Sequence, residues 1–176
     1  MNTGLILIIF TGVGILCIGV LAGVSALSSD SPGKQFSRDG YTLMIPSSWM
    51  VQEEKDSVII ELPDGSGSVN IGIASAQGNL SQIHGQYLNY IIQTSITQFD
   101  LTQYTLDSES VGTIDDKPAL STIFTLNNAA GAGVRAELFT IEGTNQVFHI
   151  LFTEPVERYD DAFSDFEEIL RSIVIR

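Results

Sequence analysis

Two histidines, one cysteine and several clustered acids are the side chains in this 176-residue sequence that could do chemistry. His149 sits in an apolar run, Val147 to Phe152, with no serine and carboxylate spaced to complete a nucleophilic set. A buried, hydrogen-bonded core histidine is the expectation there, not a catalytic one. His84 falls near the start of a helical stretch and is expected to be solvated or to pack. Gly65-Ser66-Gly67-Ser68 lacks the Gly-x-Ser-x-Gly spacing of a nucleophile elbow and precedes a strand. Neither a third glycine nor a Gly-Lys-Ser/Thr follows it, so it is no phosphate loop and reads as hairpin turn chemistry. Glu53-Glu54-Lys55-Asp56, Asp115-Asp116 and Asp160-Asp161-Asp165 could supply hard oxygen ligands for calcium. None has the loop spacing of a calcium site, and turn geometry or a helix dipole already accounts for most of them. No catalytic, cofactor-binding or metal-ligating residue is therefore assigned, and no cofactor is expected. Nothing suggests a sugar cleft for a carboxylate pair. Tyr41 and Trp49 are expected in the core, although together on the surface they could form a binding hot spot.

Charge narrows the function classes. Lys and Arg number 8 against 21 Asp and Glu, a formal charge of −13, which opposes nucleic-acid binding. The single Cys17 excludes an internal disulfide framework and a multi-cysteine zinc site. Mean hydropathy is nonetheless positive. Its source is Gly4 to Leu27, a stretch without any charge in which 17 of 24 residues are hydrophobic. As a helix it would be roughly 36 Å long against a hydrocarbon core of about 30 Å. An uncleaved single-pass anchor over residues 1–27 is the expectation. A cleaved signal peptide is the alternative, since Val24-Ser25-Ala26 offers small residues for cleavage near Ala26. Cys17 follows Leu16 rather than a small residue, so it reads as a packed membrane-helix residue and not a lipidation site. Gly19 and Gly23 form a GxxxG that could pair two such helices. Lys34 and Arg38 bias the following side weakly toward the cytoplasm. A three-residue head ahead of a large domain argues more strongly for export, and the domain is expected outside.

Residues 28–35 read as a polar linker and residues 36–176 as one domain, with a core large enough to need no staples. Tyr41-Leu43-Ile45, Val58-Ile60-Leu62 and Val69-Ile71-Ile73 alternate as strands. From Asn79 the period becomes helical: Leu80, Ile83, Tyr87, Leu88, Ile91, Ser95 and Phe99 share a stripe. Asn79 and Gln82 have capping-box spacing, which explains Asn79 better than its glycosylation sequon does. Gln103 to Gly112 is polar and reads as a sheet edge. Asp115-Asp116-Lys117-Pro118 is a turn, and runs 119–126, 134–141 and 147–152 are strands, the first and last apolar on both parities. Ala162, Phe163, Phe166, Ile169, Leu170, Ile173 and Val174 stripe a final helix, with acids early and arginines late. Three strands, a helix, four strands and a helix imply an α+β sandwich. Its sheet is largely antiparallel, with one helix on each face.

Tyr41 to Trp49 (Tyr-Thr-Leu-Met-Ile-Pro-Ser-Ser-Trp) resembles the opening of PsbP-like domains, relatives of the extrinsic photosystem II protein PsbP. Asp116-Lys117-Pro118-Ala119 is similar to the turn of that family's middle hairpin, with Asp116 where a glycine is frequent. The Phe163 to Ile173 helix matches as well, so the likeness spans about residues 36–175. It implies an α/β/α sandwich, an extracytoplasmic location and a role in binding or assembly rather than catalysis. The plant proteins dock through an N-terminal extension, whose place a membrane span occupies here, so no photosynthetic role and no docking or metal residue carries over. The resulting expectation is a non-enzymatic, membrane-tethered module that binds a partner protein or small ligand at the outer face of the cell membrane. A divalent-cation-binding or sensing domain and a hydrolase with a noncontiguous site are the alternatives.

Overall fold

Apolar alternation and turn chemistry lay out a strand-rich chain, which a computed structural model describes for residues 33–38, 40–99 and 101–176. The elements are β1 (Lys34–Arg38), β2 (Tyr41–Ile45), β3 (Met50–Glu53), β4 (Ser57–Glu61), β5 (Ser68–Ser75), α1 (Leu80–Phe99) and β6 (Leu101–Ile114). They continue with β7 (Lys117–Asn128), β8 (Gly133–Glu142), β9 (Gln146–Pro155), α2 (Tyr159–Arg171) and β10 (Val174–Ile175). The expected span Gly4 to Leu27, Cys17, the Gly19/Gly23 pair and the Ala26 cleavage position lie outside the described residues, as do the linker before Gly33 and the side chain of Phe99. Among the described residues no helix is long and apolar enough to cross a membrane.

Seven strands form one antiparallel sheet in the order β3-β4-β5-β9-β8-β7-β6. The α1 connection carries the chain from β5 to the far edge. Three hairpin steps, β6 to β9, then return it to pair with β5, Ile71 opposite Ile150. Asp115 and Asp116, at φ of 50° and 58°, make the two-residue hairpin turn between Ile114 and Lys117. Aspartate tolerates that left-handed backbone better than most residues, which explains why a frequent glycine is dispensable here.

Two expectations need correction. Tyr41 to Ile45 does not join the main sheet; it pairs with β1 and β10 in a separate three-stranded sheet. The final helix also stops at Arg171, so Ile173 and Val174 leave it. Val174 and Ile175 pair with Thr42 and Tyr41 instead. A long-range partner wins these residues: Ile175 N–H donates to Asp115 Oδ2 at 2.7 Å and Arg176 N–H to Gly40 O at 2.9 Å. β1 and β3 were invisible to periodicity because exposed edge strands carry little apolar alternation. β1 also begins inside the expected linker, at Lys34.

Two apolar clusters hold the layers together. The larger joins α2 to β2, β4, β5 and β9, and its centre is Phe166, fully buried and stacked on Phe152 at a 4.5 Å centroid distance. The smaller lies beneath α1 and contains Leu88, Ile92, Phe124, Leu126, Ala136 and Leu138. Along β9, Phe148, Ile150 and Phe152 belong to the α2 cluster, whereas Leu151 packs on the α1 cluster. Asn79 caps α1 as its spacing predicts, its Oδ1 accepting the Gln82 N–H at 2.8 Å.

Candidate functional site

His84 lies one helical turn into α1, on the face shared by Ile83, Leu88 and Ile92, and is only 6% exposed. Solvation, one of the two expectations for it, is therefore corrected. Its step of four from Leu80 and to Leu88 places it on the apolar stripe, a signal the helical spacing already contained. Its Nε2 lies 2.7 Å from Thr122 Oγ1 on β7, and its Nδ1 lies 2.8 Å from Thr140 Oγ1 on β8. Thr140 Oγ1 is also 3.0 Å from His149 Nδ1 on β9, and the ring of Tyr87 stacks on His149 at 3.9 Å. Thr122, Thr140 and His149 are all buried.

Neutral imidazoles satisfy all three contacts in one direction or the other. Either Thr122 donates to His84, His84 to Thr140 and Thr140 to His149, or every donor and acceptor exchanges. Burial favours that neutral form. It lowers the His84 pKa, which the exposed Glu109 partly opposes, and pushes His149 down to about 3, with His84 adding to the effect. His149 is thus the hydrogen-bonded core residue expected of it. The network pins α1 to three strands and holds no carboxylate and no serine or cysteine nucleophile.

A second polar group gathers where α2 begins. The Glu154 side chain is wholly buried, and no hydrogen-bond donor reaches either of its oxygens. Arg158 Nε is 3.6 Å from Oε1 and itself pairs with Asp64 at 2.6 Å. Burial outweighs the neighbouring Arg158 and raises the Glu154 pKa to about 7. Gly67 fits here because a Cβ at that position would collide with the Thr153 carbonyl as well as the Glu154 carboxylate. Beside it Tyr159 OH donates to Glu137 at 3.3 Å, and Arg135 lies 4.8 Å over the Tyr159 ring. Glu137 is likewise raised by burial.

The other candidates scatter. Tyr41 and Trp49 are buried, 2% and 3% exposed, so they form no surface hot spot. Glu54 accepts from Ser57, Asp115 caps β10 and Asp160 faces Arg135 at 3.8 Å. Asp64 accepts from Ser66 N–H at 3.0 Å, which fits the turn reading of Gly65 to Ser68. Among the described residues no three histidine, cysteine or acidic side chains converge on a metal position. Lys34 and Arg38, read as orientation signals, donate to main-chain carbonyls: Lys34 to Trp49, and Arg38 to Glu54, Lys55 and Ser57. β6 lies open at the sheet edge, its residues Thr102 to Thr113 all exposed, as the polar run predicts.

No family model and no curated protein matches this chain. Solved structures do match in fold. Cyanobacterial PsbP (CyanoP) of Synechocystis superposes at a TM-score of 0.64 with 12% identity, over 90% of this chain and 99% of that one. The Ran-binding protein Mog1p of Saccharomyces cerevisiae gives 0.59 with 9% identity, over 82% of this chain and 96% of its own. LpqN of Mycobacterium tuberculosis, involved in cell envelope biogenesis, gives 0.55 with 11% identity, over 83% and 86%. The domain has the PsbP-like fold.

Proposed function

We propose that the protein is a membrane-tethered, non-enzymatic module that binds or assembles a partner protein at the outer face of the cell membrane. One contrast carries the reading. His84 on the inward face of α1 and His149 on β9 are both buried, while β6 leaves Thr102 to Thr113 open along the edge. The uncharged stretch Gly4 to Leu27 supports the tether. Tethering raises the domain's effective concentration at the surface. A binding role is supported further by the shared fold of a Ran-binding protein, and an envelope role by that of LpqN, although neither ligand carries over. The reading takes α1 and α2 as coats on opposite faces of the sheet, in keeping with the opposite parity of their β9 contacts.

Cell fractionation with an alkaline carbonate wash, combined with protease treatment of intact cells stripped of their outer layers, tests the tether. The full-length chain should stay with the membrane and lose its domain to external protease. Release of the full-length chain, or complete protection, overturns the placement. A panel of esterase and glycosidase substrates tests the chemistry: turnover that disappears in His84→Ala would overturn the non-enzymatic reading.

A further inference from the structure

Among the described residues β6 is the longest strand and pairs only with β7. Its register places Tyr104, Leu106, Glu109 and Val111 opposite Leu126, Phe124, Thr122 and Leu120, on the side of the sheet that α1 covers. Tyr104, Leu106 and Val111 are 38%, 48% and 84% exposed. Irregularities between Leu101 and Gln103 and between Leu106 and Ser108 leave Ser108 to Ile114 as a continuous ladder. Residues 101–114 contain no lysine and no proline, the usual guards against strand addition.

Charge decides which occupant fits. Asp107 and Glu109 are the only acids or bases in β6. Asp107 is turned to the opposite side of the sheet, where Thr125 donates to it at 2.8 Å and Arg135 lies 3.5 Å away. Glu109 stands exposed between Leu106 and Val111. A second copy of this chain would bring another Glu109 to the same edge, on a chain that itself carries a net −13. We infer that the Ser108–Ile114 edge of β6 accepts an extended, cationic segment of a partner protein as an added strand. A lysine or arginine of that segment lies beside Glu109, with apolar residues beside Leu106 and Val111. This inference rests on the binding-module reading and names where and what the module binds.

The test titrates isotope-labelled full-length chain in detergent micelles with a synthetic peptide of alternating valine and threonine around a central lysine. The same peptide with glutamate in place of lysine is the comparison. Saturable amide shifts confined to β6 and its neighbours are expected, with the acidic peptide weaker by about fivefold and the preference inverted in Glu109→Lys. Val111→Lys, a fully tolerable change at so exposed a position, should abolish binding by guarding the edge. No saturable shift at millimolar peptide, shifts elsewhere, or equal binding of both peptides overturns the inference. So does a dimer of the unliganded chain that Val111→Lys dissolves, because the second copy is then the occupant. A photo-crosslinking residue placed in cells at Val111 and, separately, at Met50 on the other sheet edge divides the two levels. Crosslinks to a partner from Met50 alone overturn this placement and leave the binding module standing; crosslinks from neither edge overturn the module itself.

Discussion

Replacing His149 by glutamine removes a titrating group from the threonine–histidine network while keeping a hydrogen-bonding side chain against Thr140. In the native protein burial lowers the imidazole pKa from 6.5 to about 3, and neighbouring His84 pushes the same way. The unfolded chain therefore binds a proton that the folded chain refuses throughout this window. Stability is fully present above the unfolded pKa and is lost as pH falls toward the folded one. Each pH unit within the window costs about 1.4 kcal/mol, so acidification to about pH 4.5 removes ~3 kcal/mol, and the whole window nearly 5. Glutamine carries no such cost. Glu137 and Glu154 shift in the opposite sense, since their raised pKa values make acidification favourable. They titrate in both proteins and cancel from the comparison.

Urea unfolding followed by the fluorescence of Trp49, the single tryptophan and a buried one, measures the difference directly. His149→Gln is expected to be the less stable form at neutral pH. Its deficit should shrink by ~3 kcal/mol between about pH 7 and about pH 4.5, with unchanged denaturant slopes. A deficit that stays constant to within ~0.5 kcal/mol across that range refutes the sealed, neutral histidine pair.

Three further outcomes follow from the same physics. Glu154→Gln should remove a buried carboxylate whose pKa rises from 4.5 to about 7. The native protein loses stability as pH rises through that window, so the variant should gain up to ~3 kcal/mol above it, read by urea titration at mildly alkaline pH. Phe166→Ala empties the stacking position against Phe152 and should cost about 3–5 kcal/mol, visible as a large fall in the thermal midpoint. Asn79→Ala removes the cap on Gln82 N–H and should cost about 1 kcal/mol, measured by urea unfolding of the full-length chain.

Local pattern carried much of this protein. A period of two marks β5 and a period near 3.6 marks both helices, because each element buries one face and its apolar residues must recur at the backbone's own repeat. The same logic put His149, Tyr41 and Trp49 inside and the polar run of β6 at an edge. Periodicity passed over β1 and β3, which bury too little to leave a pattern, and it extended α2 through Ile173 and Val174, whose apolar character suits a strand equally well. It could not foresee that His84, Thr122, Thr140 and His149 would meet, because separations of 38 and 56 residues are closed only by strand order and register. Nor could it see Glu154 buried against Gly67, or Lys34 and Arg38 tied to the carbonyls around β3 and β4. A residue's own sequence neighbourhood determines whether it faces inward. Which polar group waits there to meet it is decided by chain segments that arrive from elsewhere, and only the assembled sheet brings them within hydrogen-bond reach.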